Sequence, residues 1–273
     1  MTVTCISLTF SNQLLSLCIF FALFSTKYYC RLLDPDPSEI MPGSDDEDDS
    51  KAAAGGGAPQ GIANLEGGHK VIVILDLANL ETVKTKKGEF QLMNCDDHVQ
   101  IIKKHNKDPA KYRPDIVHQE IMAVLDSPLN KAGKCRLLVH TEKNVLIEIN
   151  PKTRVPRTFK RFSGLMVQLL HLLKIRSADG KDTLLKVIKN PISRHIPAGA
   201  RCYGFSQHGS LHSPSVFVDT LPDDVPIVFV VGAMAAGSIT REDHPYISEM
   251  ISLSEYPLSG VTAANRLLGA VEA

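Results

Sequence analysis

Apolar residues along this chain fall into two kinds of run. Val71–Leu75 is continuous and mostly β-branched, and Ile227–Val231 repeats that pattern. Such runs predict strands buried on both faces. Asn79–Thr82 follows the first as a loop or a helix start. The other kind has helical spacing. Between Ile116 and Leu125, apolar positions 117, 121, 124 and 125 share one face, with Pro114 and Asp115 suited to a first turn. Ser127-Pro128 stops that helix, and Gly133 marks a second break. Arg136–His140 and Val145–Ile149 read as strands joined through Glu142–Asn144 in a hairpin, which Asn150-Pro151 ends. From Thr158, a candidate N-cap behind Pro156, the residues Phe162, Leu165, Met166, Leu169, Leu170, Leu172 and Leu173 predict a long amphipathic helix. Leu184–Ile188 is apolar again and closes at Asn190-Pro191. Residues 197–215, rich in Gly, Ser and His, read as loop. Ile251–Leu253 reads as a short strand, Ser254–Ser259 as a loop and 260–270 as a final helix. Strands interleaved with helices, without an internal repeat, give an α/β fold class.

The first 68 residues break this pattern. Residues 1–26 carry no charge, and Leu14–Phe24 is almost wholly apolar. A spanning helix needs about 20 apolar residues, and Thr, Ser, Asn and Gln interrupt the run before Leu14. A signal peptide needs a positive segment ahead of its apolar stretch, yet the first base is Lys27. The segment is either a targeting signal or a poorly ordered, even spurious, extension. The acidic tract Asp45–Asp49 and the Ala/Gly run Ala52–Gly57 bury too little apolar surface to offset their ordering entropy, which predicts disorder. Order is expected from His69, dividing the chain into 1–68 and 69–273.

The 273 residues balance 30 Lys+Arg against 30 Asp+Glu, with 44% hydrophobic and 22% charged content. This excludes a collagen, a coiled-coil rod and a fully disordered chain. Zero net charge argues against a nucleic-acid binder only until it is split by position. Residues 1–68 hold nine acids and three bases, which leaves 27 bases against 21 acids in residues 69–273, a net of +6. Neutrality is the sum of an acidic tail and a basic body. Of the six cysteines only Cys95, Cys135 and Cys202 lie in the body, with no CxxC pair. Neither a disulfide framework nor a zinc ribbon is indicated, and a reducing compartment fits better.

Three constellations can carry chemistry. Lys152, Arg154, Arg157, Lys160 and Arg161 crowd into 151–161 without an acid. Arg157 and Arg161, four apart, would share a helix face, and Arg154 can point the same way. Such a row can follow an RNA backbone through bidentate phosphate contacts; the alternative is a solvated helix start. Gly232–Gly237 follows a buried strand, so its backbone can approach a ligand at the sheet's carboxyl edge. It is not GxGxxG, because Met234 replaces the second glycine, and no GK[ST] follows. Alone it reads as a tight turn. With the loop Ser254–Leu258 its backbone groups can hold an adenine and a ribose. In Arg113-Pro114-Asp115 a donor fork stands beside an acceptor, although spacing alone favours a helix cap and a surface arginine. Metal ligation is not indicated: His208 and His212 are four apart, but Gly209 and Ser210 disfavour helix and the HExxH glutamate is missing. His118, His140 and His171 read as core histidines. Cys95 lies beside Asp96 and Asp97, which disfavour its thiolate.

Longer strings carry a resemblance. Arg113–Gln119 (RPDIVHQ), Asp126–Gly133 (DSPLNKAG), His140–Pro151 (HTEKNVLIEINP), Thr153–Phe159 (TRVPRTF), Leu185–Pro191 (LKVIKNP), Val231–Gly237 and Ser254–Leu258 (SEYPL) are together similar to one family. It is the SPOUT-class pseudouridine methyltransferases of small-ribosomal-subunit biogenesis, the essential mitotic growth family. The resemblance covers roughly residues 69–268 and nothing in 1–68. It implies a SPOUT (α/β-knot) fold with a C-terminal trefoil knot, S-adenosylmethionine as cofactor, no metal and no membrane. It also implies a homodimer with an RNA site across the subunit interface, small-subunit (18S-type) ribosomal RNA as substrate, pre-ribosomal small-subunit assembly factors and proteins as partners, and a place in the nucleus and nucleolus. The methyl acceptor would be the pseudouridine ring nitrogen at position one, reached by unstacking the base. By matching motifs, Arg113, Arg154, Arg157 and Arg161 are implied RNA contacts, with Arg113 and Asp115 at the catalytic centre. Phe205, Gly232, Gly237, Leu253, Ser254, Glu255, Tyr256, Pro257 and Leu258 are the implied cofactor-binding positions. Three features depart from the family: Ala236 and Ser238 stand where a basic or polar residue and a lysine are common, His208–Ser213 resembles an insertion, and the last helix lacks an aromatic ending. A non-catalytic RNA-binding assembly factor is the alternative function.

Overall fold

Strand β1 (Val71–Ala78) sits inside the sheet, and seven of its eight residues are buried. The computed structural model describes residues 71–85 and 88–272, all within one compact unit, Ala58–Ala273. The apolar run Leu14–Phe24, the acidic tract Asp45–Asp49, Ala52–Gly57 and the expected start of order at His69 lie outside the described residues. After β1 come β2 (Thr82–Lys84), β3 (Phe90–Leu92), α1 (Val99–Lys104), α2 (Pro114–Asp126), α3 (Pro128–Lys131), β4 (Cys135–Thr141) and β5 (Leu146–Ile149). Then follow α4 (Phe159–Leu172), β6 (Lys174–Arg176), β7 (Thr183–Ile188), β8 (Arg201–Leu211), α5 (Pro214–Asp219), β9 (Ile227–Gly232), β10 (Glu249–Ser252) and α6 (Gly260–Glu272).

Among the described residues the main sheet has eight strands in the order β10-β8-β9-β1-β4-β5-β7-β6, and β2 pairs with β3 separately. The half from β10 to β4 is parallel, and the half from β4 to β6 is antiparallel. Parallel strands need cover on both faces, and the alternation of β1 shows how it is provided. Val71, Val73 and Leu75 join one cluster with Val117, Ile121, Phe162, Met166, Ala264 and Leu267 of α2, α4 and α6. Ile72 and Ile74 join a second with Ile192, Ile239 and Ile247 from irregular segments. The two buried-strand runs and the β4–β5 hairpin thus form as the sequence predicts.

Helix α2 starts with Pro114 at its first turn and Asp115 near its positive end, then buries Val117, Ile121, Val124 and Leu125. Ser127 stops it by donating to the Val124 carbonyl at 2.8 Å, while accepting from the Asn130 N–H at 3.2 Å to start α3. Thr158 precedes α4 as expected, but its side chain makes no capping bond. Leu172 and Leu173, counted from periodicity with the helix's apolar face, are exposed where α4 ends in a left-handed turn at Leu173.

The largest correction concerns residues 197–215. Expected as loop, they hold the eleven-residue strand β8, with α5 beginning at Pro214. Glycines here mark close approach rather than a turn. A Cβ on Gly209 would lie 2.6 Å from backbone atoms of Ile251 in β10, a clash that only glycine avoids. Pairing of β8 with β10 is interrupted between Gly204 and Ser210, so residues 205–209 bulge from the ladder. Gly209→Ala should therefore lower the unfolding free energy by about 1–3 kcal/mol, measured by urea denaturation; wild-type stability would contradict the packed seam. Two more elements were not expected at all. The β2–β3 hairpin takes the place of a possible helix start beyond Asn79, and α1 is a short helix with one buried residue, Ile102.

Candidate functional site

A cleft of about 420 Å³ opens at the carboxyl ends of β9 and β10. The elements that form it are fixed by local chemistry. Strand β9 ends at Gly232, and the turn behind it reaches Gly237 at φ +116°, in the left-handed region open to glycine. The Ser252 hydroxyl donates to the Ser254 carbonyl at 2.8 Å, and the Ser254 hydroxyl accepts from the Tyr256 N–H at 3.1 Å. These bonds shape the loop that leads into α6. The bulge of β8 closes one side, and α2 closes the floor.

Seven of the nine expected cofactor positions line this cleft: Phe205, Gly232, Gly237, Leu253, Tyr256, Pro257 and Leu258. Ser254 and Glu255 do not line it; Ser254 shapes the loop through its bonds and Glu255 is exposed. Ala236 and Ser238 are exposed beside the cleft and bring no cation to it.

Glu120 is the site residue that sequence reasoning missed. It lines the cleft, is 0% exposed, and neither carboxyl oxygen has a hydrogen-bond partner. Burial alone pushes its carboxyl up to about 8. A Cβ on Gly260 would fall 2.0 Å from Glu120 Oε1 and 3.0 Å from the Gly232 carbonyl oxygen. Glycine at the start of α6 therefore makes room for this carboxyl. The signal was present in the pattern: position 120 lies three after Val117 and four before Val124, on the buried stripe of α2.

Arg113 and Asp115 do come together. Arg113 Nε donates to Asp115 Oδ1 at 2.8 Å and Nη2 to Oδ2 at 2.7 Å, a two-pronged pair. The pair holds the Asp115 carboxyl below the usual carboxylate range. Both side chains keep solvent access, 43% and 34% exposed, so the guanidinium edge can still meet a ligand.

The basic segment differs from its expected form. Arg157 precedes the Thr158 cap and lies outside α4, so it cannot share a helix face with Arg161. Its guanidinium instead grips Asp126 at the end of α2, with Nη2–Oδ1 at 3.1 Å. Lys152 pairs with Asp182 at 3.0 Å. The acid-free run is thus partly neutralised by acids from elsewhere in the chain. Arg154, Arg157, Lys160 and Arg161 are all exposed. His118, buried in α2, donates Nε2–H to the Pro156 carbonyl at 2.7 Å and stacks on Phe162. Helix α2 consequently links three features: the Arg113–Asp115 pair at its start, Glu120 in the cleft, and the basic segment through His118 and Asp126.

The other titratable candidates are accounted for. His140 is half-buried, and its hydrogen bond to Asp76 at 2.8 Å raises its pKa. His171, expected in the core, is exposed on α4 and donates to the Val167 carbonyl. Burial, then Asp96, pushes the Cys95 thiol up, away from a nucleophile's range. His208 lies on strand β8 and not on a helix. No helix of the described residues is long and apolar enough to cross a membrane.

The cleft fits an adenine-bearing, positively charged cofactor. Its walls are largely apolar, two glycine-containing loops expose backbone, and one orphaned buried carboxyl awaits a partner. Comparison with known proteins agrees with that chemistry. The family model described as EMG1/NEP1 methyltransferase matches residues 73–272. The chain is 50% identical over 212 residues to the human protein named ribosomal RNA small subunit methyltransferase NEP1, covering 78% of this chain and 84% of that one. It is 46% identical over 209 residues to the Drosophila melanogaster protein of the same name, covering 74% and 81%. Among solved structures, Archaeoglobus fulgidus Nep1 bound to S-adenosylhomocysteine matches with a TM-score of 0.62 and 24% identity, over 75% of this chain and 97% of that chain. That likeness shows a shared fold.

Proposed function

The chain belongs to the EMG1/NEP1 methyltransferase family, and from that premise we propose that it methylates a pseudouridine of small-subunit ribosomal RNA with S-adenosylmethionine. The observation that carries the reading is the glycine-walled cleft, whose floor is the same helix that presents Arg113, Asp115 and Asp126. The methyl donor, when bound, supplies an electrophilic methyl carbon on a sulfonium. The chain's own work is positioning. Backbone of the Gly232–Gly237 turn and the Leu253–Leu258 loop holds the adenosine, with Phe205 as an apolar wall. Asp115 fixes Arg113, which orients the RNA. In-line transfer between held partners needs no covalent protein intermediate, and correct placement supplies much of the barrier reduction.

Arg154, Arg157 and Arg161 take RNA phosphates in this reading. Arg157 must exchange Asp126 for a phosphate. Exposed ion pairs are worth only about 0–1 kcal/mol, so the exchange costs little. Arg157→Ala combined with Arg161→Ala should weaken RNA binding and flatten its salt dependence by roughly one unit of log K per log salt, while S-adenosylmethionine affinity stays unchanged. An equal loss of cofactor affinity would show that the segment supports the cleft instead.

We extend the reading to a homodimer with RNA bound across the interface, small-subunit assembly factors as partners, a nucleolar site of action and a C-terminal trefoil knot. Exposed Leu211 and the 75% exposed Tyr256 are apolar surface beside the cleft that a second copy can cover. A second reading, a non-catalytic RNA-binding assembly factor, draws on Ala236 and Ser238, which bring no basic group to the cleft's lip. Calorimetric titration with S-adenosylmethionine separates the two: saturable binding supports the enzyme, and absence of binding by folded protein supports the assembly factor.

A further inference from the structure

We propose that Glu120 is the counter-charge for the sulfonium of the methyl donor, so that the cleft prefers the charged donor over its neutral thioether product. This rests on the cofactor reading above and adds a residue and a charge rule to it. Glu120 is the one charged side chain lining the cleft. It is fully buried, both of its oxygens lack a partner, and Gly260 leaves open the space it occupies. Buried carboxylates are retained when something pairs with them. Nothing in the described chain does so here, whereas a cation seated in the cleft would.

No titratable neighbour explains its state. Helix α2 itself carries Asp115, His118 and Asp126. The elements packed against α2 bring Asp76 of β1, Lys131 of α3, Lys160, Arg161 and His171 of α4, and Arg266 and Glu272 of α6. The loop ahead of α6 brings Glu255 and Tyr256. None of these contributes to the Glu120 shift, and burial is its sole cause. With its pKa pushed up to about 8, the carboxyl of the empty cleft holds its proton at neutral pH. A sulfonium placed beside it favours the ionised form, and one proton passes to solvent. Once the methyl group has moved to the acceptor, sulfur is neutral, the carboxylate loses its partner and takes a proton back. Product binding is thereby weakened relative to donor binding.

The test is isothermal titration of the full chain with S-adenosylmethionine and S-adenosylhomocysteine at pH 6.5 and pH 9, in buffers of different ionisation enthalpy. The expected wild-type result is a donor-to-product affinity ratio that grows with pH, with close to one proton released by the donor at pH 6.5 and little at pH 9. Glu120→Gln should reduce the ratio roughly tenfold or more, as expected for an opposite charge within a few ångströms. The variant also controls for titration of the ligands' own amino groups. Glu120→Ser, smaller and equally neutral, repeats the test should the glutamine variant fold poorly. An unchanged ratio, or an equal loss for both ligands, overturns the assignment while leaving the cofactor reading standing. Failure of the folded wild type to bind either ligand overturns both.

Discussion

Glu120→Gln should make the ligand-free protein more stable than wild type at pH 9, by roughly 4 kcal/mol, and by only about 1 kcal/mol at pH 5. The carboxyl has a folded pKa of about 8 against a model value of 4.5. Between those values the folded state keeps a proton that the unfolded state has released. Stability from this group is therefore fully present below about pH 4.5, is lost as pH rises to 8, and stays lost above. Glutamine carries no such dependence, and all other titrating groups cancel in the comparison. Urea unfolding of both proteins at the two pH values measures it. Parallel stabilities would mean that Glu120 has a partner or solvent contact in solution. A stabilising change in a candidate binding site is the pattern expected where stability has been given up for function.

Asp115→Ala should lower methyl transfer about 100-fold while changing stability by no more than about 1 kcal/mol. Two magnitudes separate these outcomes. A partly exposed ion pair is a weak stabiliser, because solvent screens it and ordering both side chains costs entropy. Orientation of a reacting partner is far more sensitive, since a misplacement of about 1 Å can cost about 100-fold in rate. The Arg113 guanidinium is held at two points by Asp115, so removing the carboxylate frees its direction without disturbing the core. Turnover on RNA together with a urea midpoint checks this. A rate loss no greater than the loss of folded protein would make Asp115 merely structural.

What could be read from the chain follows from which interactions are local. β1 and β9 were legible because cover on both faces makes continuous β-branched runs. α2 was legible because Pro114, Asp115 and Ser127 act within a few residues of its ends. β8 was not, because its glycines answer to the Ile251 backbone from another part of the chain. β2, β3 and β6 are three residues each and largely exposed, too short to show a period. At the site, motif strings located the two cofactor loops and the Arg113–Asp115 pair. They could not show that Arg157 would turn to Asp126, or that Ser254 and Glu255 would leave the cleft lining. Glu120 sat visibly on an apolar stripe, yet its lack of any partner is a tertiary fact.

The net charge of zero takes on a physical meaning here. The +6 belongs to residues 69–273, which include the four arginines assigned to RNA, and the compensating acids lie in residues 1–68. Steering of RNA by the body is therefore sensitive to salt even though the whole chain is neutral.

The central claim is methyl transfer to a pseudouridine, and one measurement addresses it directly. The full chain is incubated with S-adenosylmethionine bearing a labelled methyl group and either of two small-subunit ribosomal loop RNAs, identical except for pseudouridine or uridine at one position. The account predicts label in the pseudouridine RNA alone, recovered on the base after digestion. No label in an RNA that the folded protein demonstrably binds would contradict it.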